Sequence, residues 1–392
     1  MILAMRLFPA IPVAALLLAS TAHADTRASA VVSAQGGYGS NPYFDSQDND
    51  TGTIVLTAAP TVSLIGPTST VNLNGRVEQV FFTSRYPDMT NWSLGADAAI
   101  KLSPRSNFKL AGSYSSAVNS GITQVSAVPP LDPNNPLPDP TTTEEGGRRT
   151  KTLAGNASFD SQFSLRDTVT LSGGALKVDY EAPNSSNYKS YFGTIGLMHV
   201  FNDTVSGGVS ATYSKTDYDQ AAAGSLKSFS PAFNLALKLS ARTTLDLSAG
   251  ATFSKDSGGT LPSSTQTNFS GSASLCHKGD RTNFCLSAAR SVGATSLAGN
   301  SIITQVSANY NYALSPRSSI ALAGYYSESN SLNSVAGFNT RYLGSSATYS
   351  HQLKERLSLT VTARYTDPIR STIGNRRKSF YGGVGLSYRF GR

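Results

Sequence analysis

The sequence predicts an all-β fold: a transmembrane antiparallel up-and-down β-barrel of about 18 strands, with short periplasmic turns and longer extracellular loops. Three observations predict it. Apolar side chains take every second position through most of the chain, and tight turns recur at a near-regular interval. The segments between turns are close to the ~9–11 residues that a tilted strand needs to cross a bilayer. The clearest copy of the repeating unit covers residues 302–327. Val306, Ala308, Tyr310, Tyr312 and Leu314 alternate with Ser307, Asn309 and Asn311. The turn Ser315-Pro316-Arg317-Ser318 follows, and Ile320, Leu322, Gly324 and Tyr326 alternate again. Strand side chains point to opposite faces with period two, so each segment has one apolar and one polar face.

At the start of the chain, Arg6 precedes a mainly apolar stretch over 7–19, and Ala22-His23-Ala24 fits a small-x-small cleavage site. Residues 1–24 therefore read as a secretory signal peptide, cut between Ala24 and Asp25, and 25–392 as a single barrel domain. No later apolar run approaches the ~20 residues of a membrane helix, which excludes a helical membrane protein. Charged residues are 14% of the chain, below the ~25% usual in soluble domains. Gly, Ser, Thr, Asn and Tyr replace them, a vocabulary of strands and turns. The formal charge of +8 is spread singly along the chain, so no nucleic-acid partner is expected.

Eight tight turns follow in order: Gly66-Pro67-Thr68-Ser69, Ser103-Pro104-Arg105-Ser106, Ser164-Leu165-Arg166-Asp167, Asn202-Asp203, Ser240-Ala241-Arg242-Thr243, 278–281, 315–318 and Lys354-Glu355-Arg356. A strand on each side gives sixteen; one around 30–38 and one over 380–390 complete eighteen. Alternation is cleanest in Trp92-Leu94-Ala96-Ala98-Ile100-Leu102 and in Leu245-Leu247-Ala249-Ala251-Phe253. It is poorest near Leu176 and over 191–200, where a bulge or phase change is expected. The other connections are longer and polar (41–51, 85–91, 217–227, 255–265, 328–339, 366–378), which leaves strands of about 10–13 residues. An even strand count puts both termini on the periplasmic side. The longest connection, 118–149, holds six prolines between Pro129 and Pro140 and so continues neither strand. It reads as a surface loop or as a loop folded into the barrel mouth.

A soluble sandwich would alternate too, but eighteen regular strands exceed most sandwiches. Aromatics also gather toward strand ends (Tyr114, Tyr213, Phe253, Tyr310, Tyr312, Tyr326, Tyr365), as in interfacial girdles. The last strand alternates through Phe380, Val384, Leu386, Tyr388 and Phe390. Tyr388 and Phe390 resemble the C-terminal signal that the outer-membrane insertion machinery reads, although Gly391 and Arg392 follow. At the front, Gly36-Gly37-Tyr38-Gly39-Ser40-Asn41-Pro42-Tyr43 resembles the opening strand and loop of the β-barrel porin 2 group. The resemblance implies an outer-membrane barrel of the kind associated with exopolysaccharide synthesis and export, and adds no catalytic residues.

Cys276 and Cys285 are the two cysteines. With a two-residue turn at Asp280-Arg281 they fall directly opposite one another, within the Cα separation that a disulfide tolerates. An oxidising compartment then favours a cross-strand bridge. His199, His277 and His351 lie beside periplasmic turns without a nucleophile at motif spacing, so neither an enzyme nor a metal site is expected, and no cofactor. Asp45, Asp48 and Asp50 lack the glycine and glutamate of a calcium loop. Arg76, Glu78, Lys109, Lys238, Asp246, Arg364 and Arg389 fall in the polar phase and are candidates to face the lumen. Arg290 falls in the apolar phase, where it must snorkel at a rim or mark a bulge. The expectation is a passive channel for small hydrophilic solutes with a mild anion bias. The alternatives are an accessory barrel for exopolysaccharide export, with polysaccharide or export components as partners, or a structural, plugged barrel. Lipid, lipopolysaccharide and the insertion machinery are the expected partners in every case.

Overall fold

A computed structural model describes residues 25–46, 49–122, 146–182, 185–219, 224–257, 264–296, 299–332, 339–371 and 376–391. Residues 1–24, where a signal peptide and its cleavage site at Ala24 are expected, Asp48 and most of the proline-rich loop lie outside these residues; Asp25 opens the first strand. The strands are β1 (Asp25–Ser40), β2 (Asp50–Ile65), β3 (Ser69–Phe82), β4 (Met89–Ser103), β5 (Ser106–Val118) and β6 (Arg149–Gln162). Then come β7 (Asp167–Tyr180), β8 (Tyr188–Val200), β9 (Val205–Tyr218), β10 (Ser225–Ser240), β11 (Thr243–Ser257) and β12 (Ser264–Lys278). The last six are β13 (Thr282–Thr295), β14 (Gly299–Ser315), β15 (Ser318–Ser331), β16 (Asn339–Lys354), β17 (Leu357–Arg370) and β18 (Ser379–Gly391). Each pairs antiparallel with its sequence neighbours, and β18 returns to β1 with Val32 opposite Tyr388, closing an 18-stranded sheet.

The eight turns fall where the sequence places them, and a local bond explains five of them. Ser103, Ser164, Ser240 and Ser315 each accept, through Oγ, the backbone N–H of Arg105, Arg166, Arg242 or Arg317 at 3.1–3.2 Å. Asn202 accepts from Thr204 and Val205 in the same way at 2.9 Å. Such side chains mimic a backbone turn. Register shifts lie beside four turns, at 101/103, 238/240, 313/315 and 352/354, as bulges do at barrel rims.

Two expectations need correction. The strands run to between 13 and 17 residues, longer than the alternation alone suggests. Polar residues such as Lys227, Lys255 and Asp367 continue the ladder beyond the apolar band, because backbone pairing does not depend on side-chain polarity. The bulge expected near Leu176 and 191–200 is absent, since β7, β8 and β9 keep one register. Alternation fades there because apolar residues also face inward. Leu176 packs on a cluster of Val178, Tyr180, Tyr188 and Tyr218. Phe192 lies over Gly174, where a Cβ would come within 2.7 Å of its ring.

One face of the sheet carries an apolar belt, interrupted at Arg290. Trp92, Leu94, Val209, Phe233 and Phe269 stay exposed on it, Phe233 at 75%. A soluble monomer rarely shows an apolar patch above a few hundred Å². Tyr213, Phe229 and Phe253 stand directly opposite one another at the loop end. Tyr310 and Tyr312, and Tyr388 and Phe390, are adjacent at the turn end. These rows bound a lipid-facing band of about 25 Å. The chain is a β-barrel of the Gram-negative outer membrane.

The wall has one seam. β12 and β13 pair only from Lys278/Asn283 to Gly271/Arg290. Above that point β12 stays with β11, while β13 stays with β14 as far as Thr295/Gly299. Arg290 thus sits where a ladder ends, neither at a rim nor at a bulge, and its Nη1 donates to Thr304 Oγ1 at 3.2 Å.

Candidate functional site: the barrel interior

Freed from β12, the top of the β13–β14 hairpin leans across the interior. Ala294 packs on the Val178–Tyr218 cluster of β7, β8 and β9. Ser186 N–H donates to Ser296 C=O at 2.8 Å, and Tyr218 Oη lies 3.3 Å from Asn300 Oδ1. On β7, β8 and β9 the residues that meet the hairpin belong to the phase opposite the exposed Leu171, Tyr191 and Val209, which puts the polar phase of those strands inside. A second cluster, Tyr43, Val55, Val80, Met89 and Val118, fills the opposite side, with Phe82 and Tyr86 against it. Tyr342, Tyr381 and Ile303 are all but inaccessible. These side chains pack the described part of the extracellular half.

The connection between β1 and β2 adds to this packing. Asn41 Nδ2 donates to the Asp45 and Arg377 carbonyls, and Arg376 reaches the Tyr43 and Phe44 carbonyls at 3.5 and 3.4 Å. Tyr86 Oη donates to Asp45 at 3.1 Å. Burial, with Asp45 nearby, pushes the phenols of Tyr43 and Tyr86 up to about 12. Asp50 accepts from Tyr38 at 3.1 Å. Among the described residues no three His, Cys, Asp or Glu gather as a metal site.

The seven polar-phase candidates all fall in the phase opposite the exposed apolar side chains of their own or the paired strand. Arg76 and Glu78 form an ion pair at 2.6 Å, and Asn91 donates to Glu78 at 3.3 Å. Lys109 pairs with Asp160 at 3.6 Å, which also accepts from Thr170 at 2.8 Å. The Arg364 guanidinium stands 5.9 Å from the Tyr381 ring centroid, a cation–π contact. Tyr381 itself lies flat over Gly37 and Gly383, where any Cβ would collide with it. Among the described residues Lys238, Asp246 and Arg389 make no ion pair. Asp97, held by Asn72 at 2.8 Å, belongs to the same wall and was missed because it lies among apolar neighbours.

A cavity of about 460 Å³ lies where the turn ends of β14 to β18 meet β1. Arg317, Arg356 and Arg389 line it together with Ser319, Ser350, Ser358 and Ser387, and Glu355 is its one carboxylate. Period-two reading does not reach Arg317 and Arg356, which sit in turns. Their signal is the arginine that recurs in six of the eight turns (Arg105, Arg166, Arg242, Arg281, Arg317, Arg356).

Cys276 and Cys285 are directly opposite and joined, with Cα atoms 4.2 Å apart, on the inward face above the 279–282 turn. The histidines lie at the periplasmic rim, His351 beside the cavity. His199 Nδ1 meets Asp167 at 2.6 Å, His277 meets Thr243 at 2.9 Å and His351 meets Ser318 at 2.7 Å. In each case the partner is the first residue of the neighbouring hairpin's second strand. That repetition, with an acid once and a hydroxyl twice, marks a clasp between hairpins. Ser164 donates to Asp167 and not to His199.

No family model matches the chain, and no curated protein does. Solved structures similar to it include crystal structures of Pseudomonas aeruginosa OpdQ and Acinetobacter baumannii OccAB4. These are 12% and 11% identical over 94% of this chain and 99% of theirs, each with a TM-score of 0.47. Pseudomonas aeruginosa OccK2 (OpdF) in complex with glucuronate is 10% identical over 94% of this chain and 98% of its own, TM-score 0.47. No residue role is carried over from any of them.

Proposed function

We propose that the protein is an outer-membrane channel for passive diffusion of small hydrophilic solutes, with a mild anion bias. The observation that carries this reading is the polar phase of the strands, with a cavity at its turn end lined by three arginines and one carboxylate. Barrels of 16–18 strands are wide enough for an aqueous path. The bias would come from charge focused in a narrow mouth. Planar-bilayer conductance of the mature protein tests it. Discrete steps with an anion-selective reversal potential in a KCl gradient are expected. Silence across the full voltage range, with and without residues 125–145, would reject the channel.

The two packed clusters of the extracellular half favour a second reading, a structural barrel whose lumen is permanently filled. The same recording separates the two. A role in exopolysaccharide export has the support of the Gly36–Tyr43 segment and the final strand alone. A deletion strain that loses secreted polysaccharide while solute uptake stays intact would favour it over the channel.

A further inference from the structure

We infer that the outer face of β10 and β11, at their extracellular ends, binds the phosphate of an outer-leaflet lipid. Three matched pairs climb that face. Phe229 stands opposite Phe253, then Lys227 opposite Lys255, then Ser225 opposite Ser257, whose hydroxyls lie 3.2 Å apart. The phenylalanines belong to the row with Tyr213 that marks the upper edge of the lipid band. The lysines, two residues further out, sit about 5 Å higher on the tilted strands, at headgroup level.

The neighbouring charges single this pair out. On the same outer face of β6 to β9, four lysines each have a carboxylate. Lys151 pairs with Glu181 at 2.8 Å, Lys177 with Asp179 at 2.7 Å, Lys189 with Asp219 at 3.7 Å and Lys215 with Asp217 at 2.8 Å. Lys227 and Lys255 are exposed and make no ion pair among the described residues. Like charges directly opposite on adjacent strands destabilise a sheet, with Cβ atoms only ~4.5–5.5 Å apart. One phosphate within reach of both ammoniums removes that repulsion and gains charge-assisted hydrogen bonds. The phenylalanines below present an apolar surface to the acyl chains, and the serines above offer hydroxyls to a sugar. A lipid phosphate satisfies all three tiers; a free ion satisfies only the middle one.

The inference rests on the membrane orientation and is independent of whether the barrel conducts. Native mass spectrometry of the folded protein, released from neutral detergent after incubation with bisphosphorylated lipid A or phosphatidylglycerol, tests it. K227Q/K255Q is expected to lose bound lipid at least tenfold, and K151Q/K177Q to retain it. The single variants K227Q and K255Q, each expected to weaken binding several-fold, keep the test open if the double variant does not fold. Equal retention by K227Q/K255Q, equal retention of dephosphorylated lipid A, or displacement by millimolar inorganic phosphate would overturn the lipid site.

Discussion

Two phenols at the loop end couple the packing there to pH. Tyr43 and Tyr86 ionise near 12, above the usual ~10 of an unfolded chain, because burial beside Asp45 disfavours the phenolate. A raised folded value means that the neutral form favours the packed arrangement. Its contribution is complete below pH ~10 and is lost as pH rises through about 12. Bilayer recordings at stepped pH should show conductance rising in that window, and Y43F/Y86F should remove the step. The disulfide is a separate contribution. Replacing both cysteines by serine should lower resistance to urea by about 2–3 kcal/mol on the chain-entropy account, read from heat-modifiable gel migration. At this scale the sequence was readable wherever a strand register applies. Facing positions follow from one turn, which is why Cys276 and Cys285 could be paired on paper. Arg317 and Arg356 could not be placed, because a turn side chain has no fixed face.

Among the elements, the β13–β14 hairpin is the one that departs from the wall. Its residues alternate equally well whether the hairpin stands in the wall or leans inward, so periodicity is blind to the difference. The only trace in the sequence is Arg290, out of phase at the point where pairing with β12 stops. The backbone bond from Ser186 to Ser296 implies that the hairpin can be fastened there. With Cys276 and Cys285 first replaced by serine, an S186C/S296C bridge should hold the barrel silent in bilayers, and reductant should restore conductance. Conductance that ignores the bridge would show that the hairpin does not obstruct the path. By contrast the turns were fully legible. A serine or asparagine bonding two residues ahead is a local device, and it leaves the same mark at 103, 164, 202, 240 and 315.

For the whole molecule, closure converts a recurrent turn arginine into a ring at the periplasmic mouth, with one sector opening on the cavity. Arg242 is paired with Asp280 at 2.7 Å, whereas Arg317, Arg356 and Arg389 make no ion pair among the described residues. R317Q/R356Q/R389Q should shift the reversal potential toward cations by a measurable fraction of its full range, while R105Q should leave it in place. Strand number, sidedness and closure were all legible because they depend on counting and on alternation. The packing across the extracellular half was not, because it arises from residues of distant strands meeting across the interior.

The central claim is that the two phases of each strand meet different solvents. Single spin labels at successive positions 244–249 of β11, in liposomes, test it most directly. Labels at 245, 247 and 249 should relax with oxygen from the lipid, and labels at 244, 246 and 248 with an aqueous nickel complex. A profile without that two-residue alternation would contradict the account.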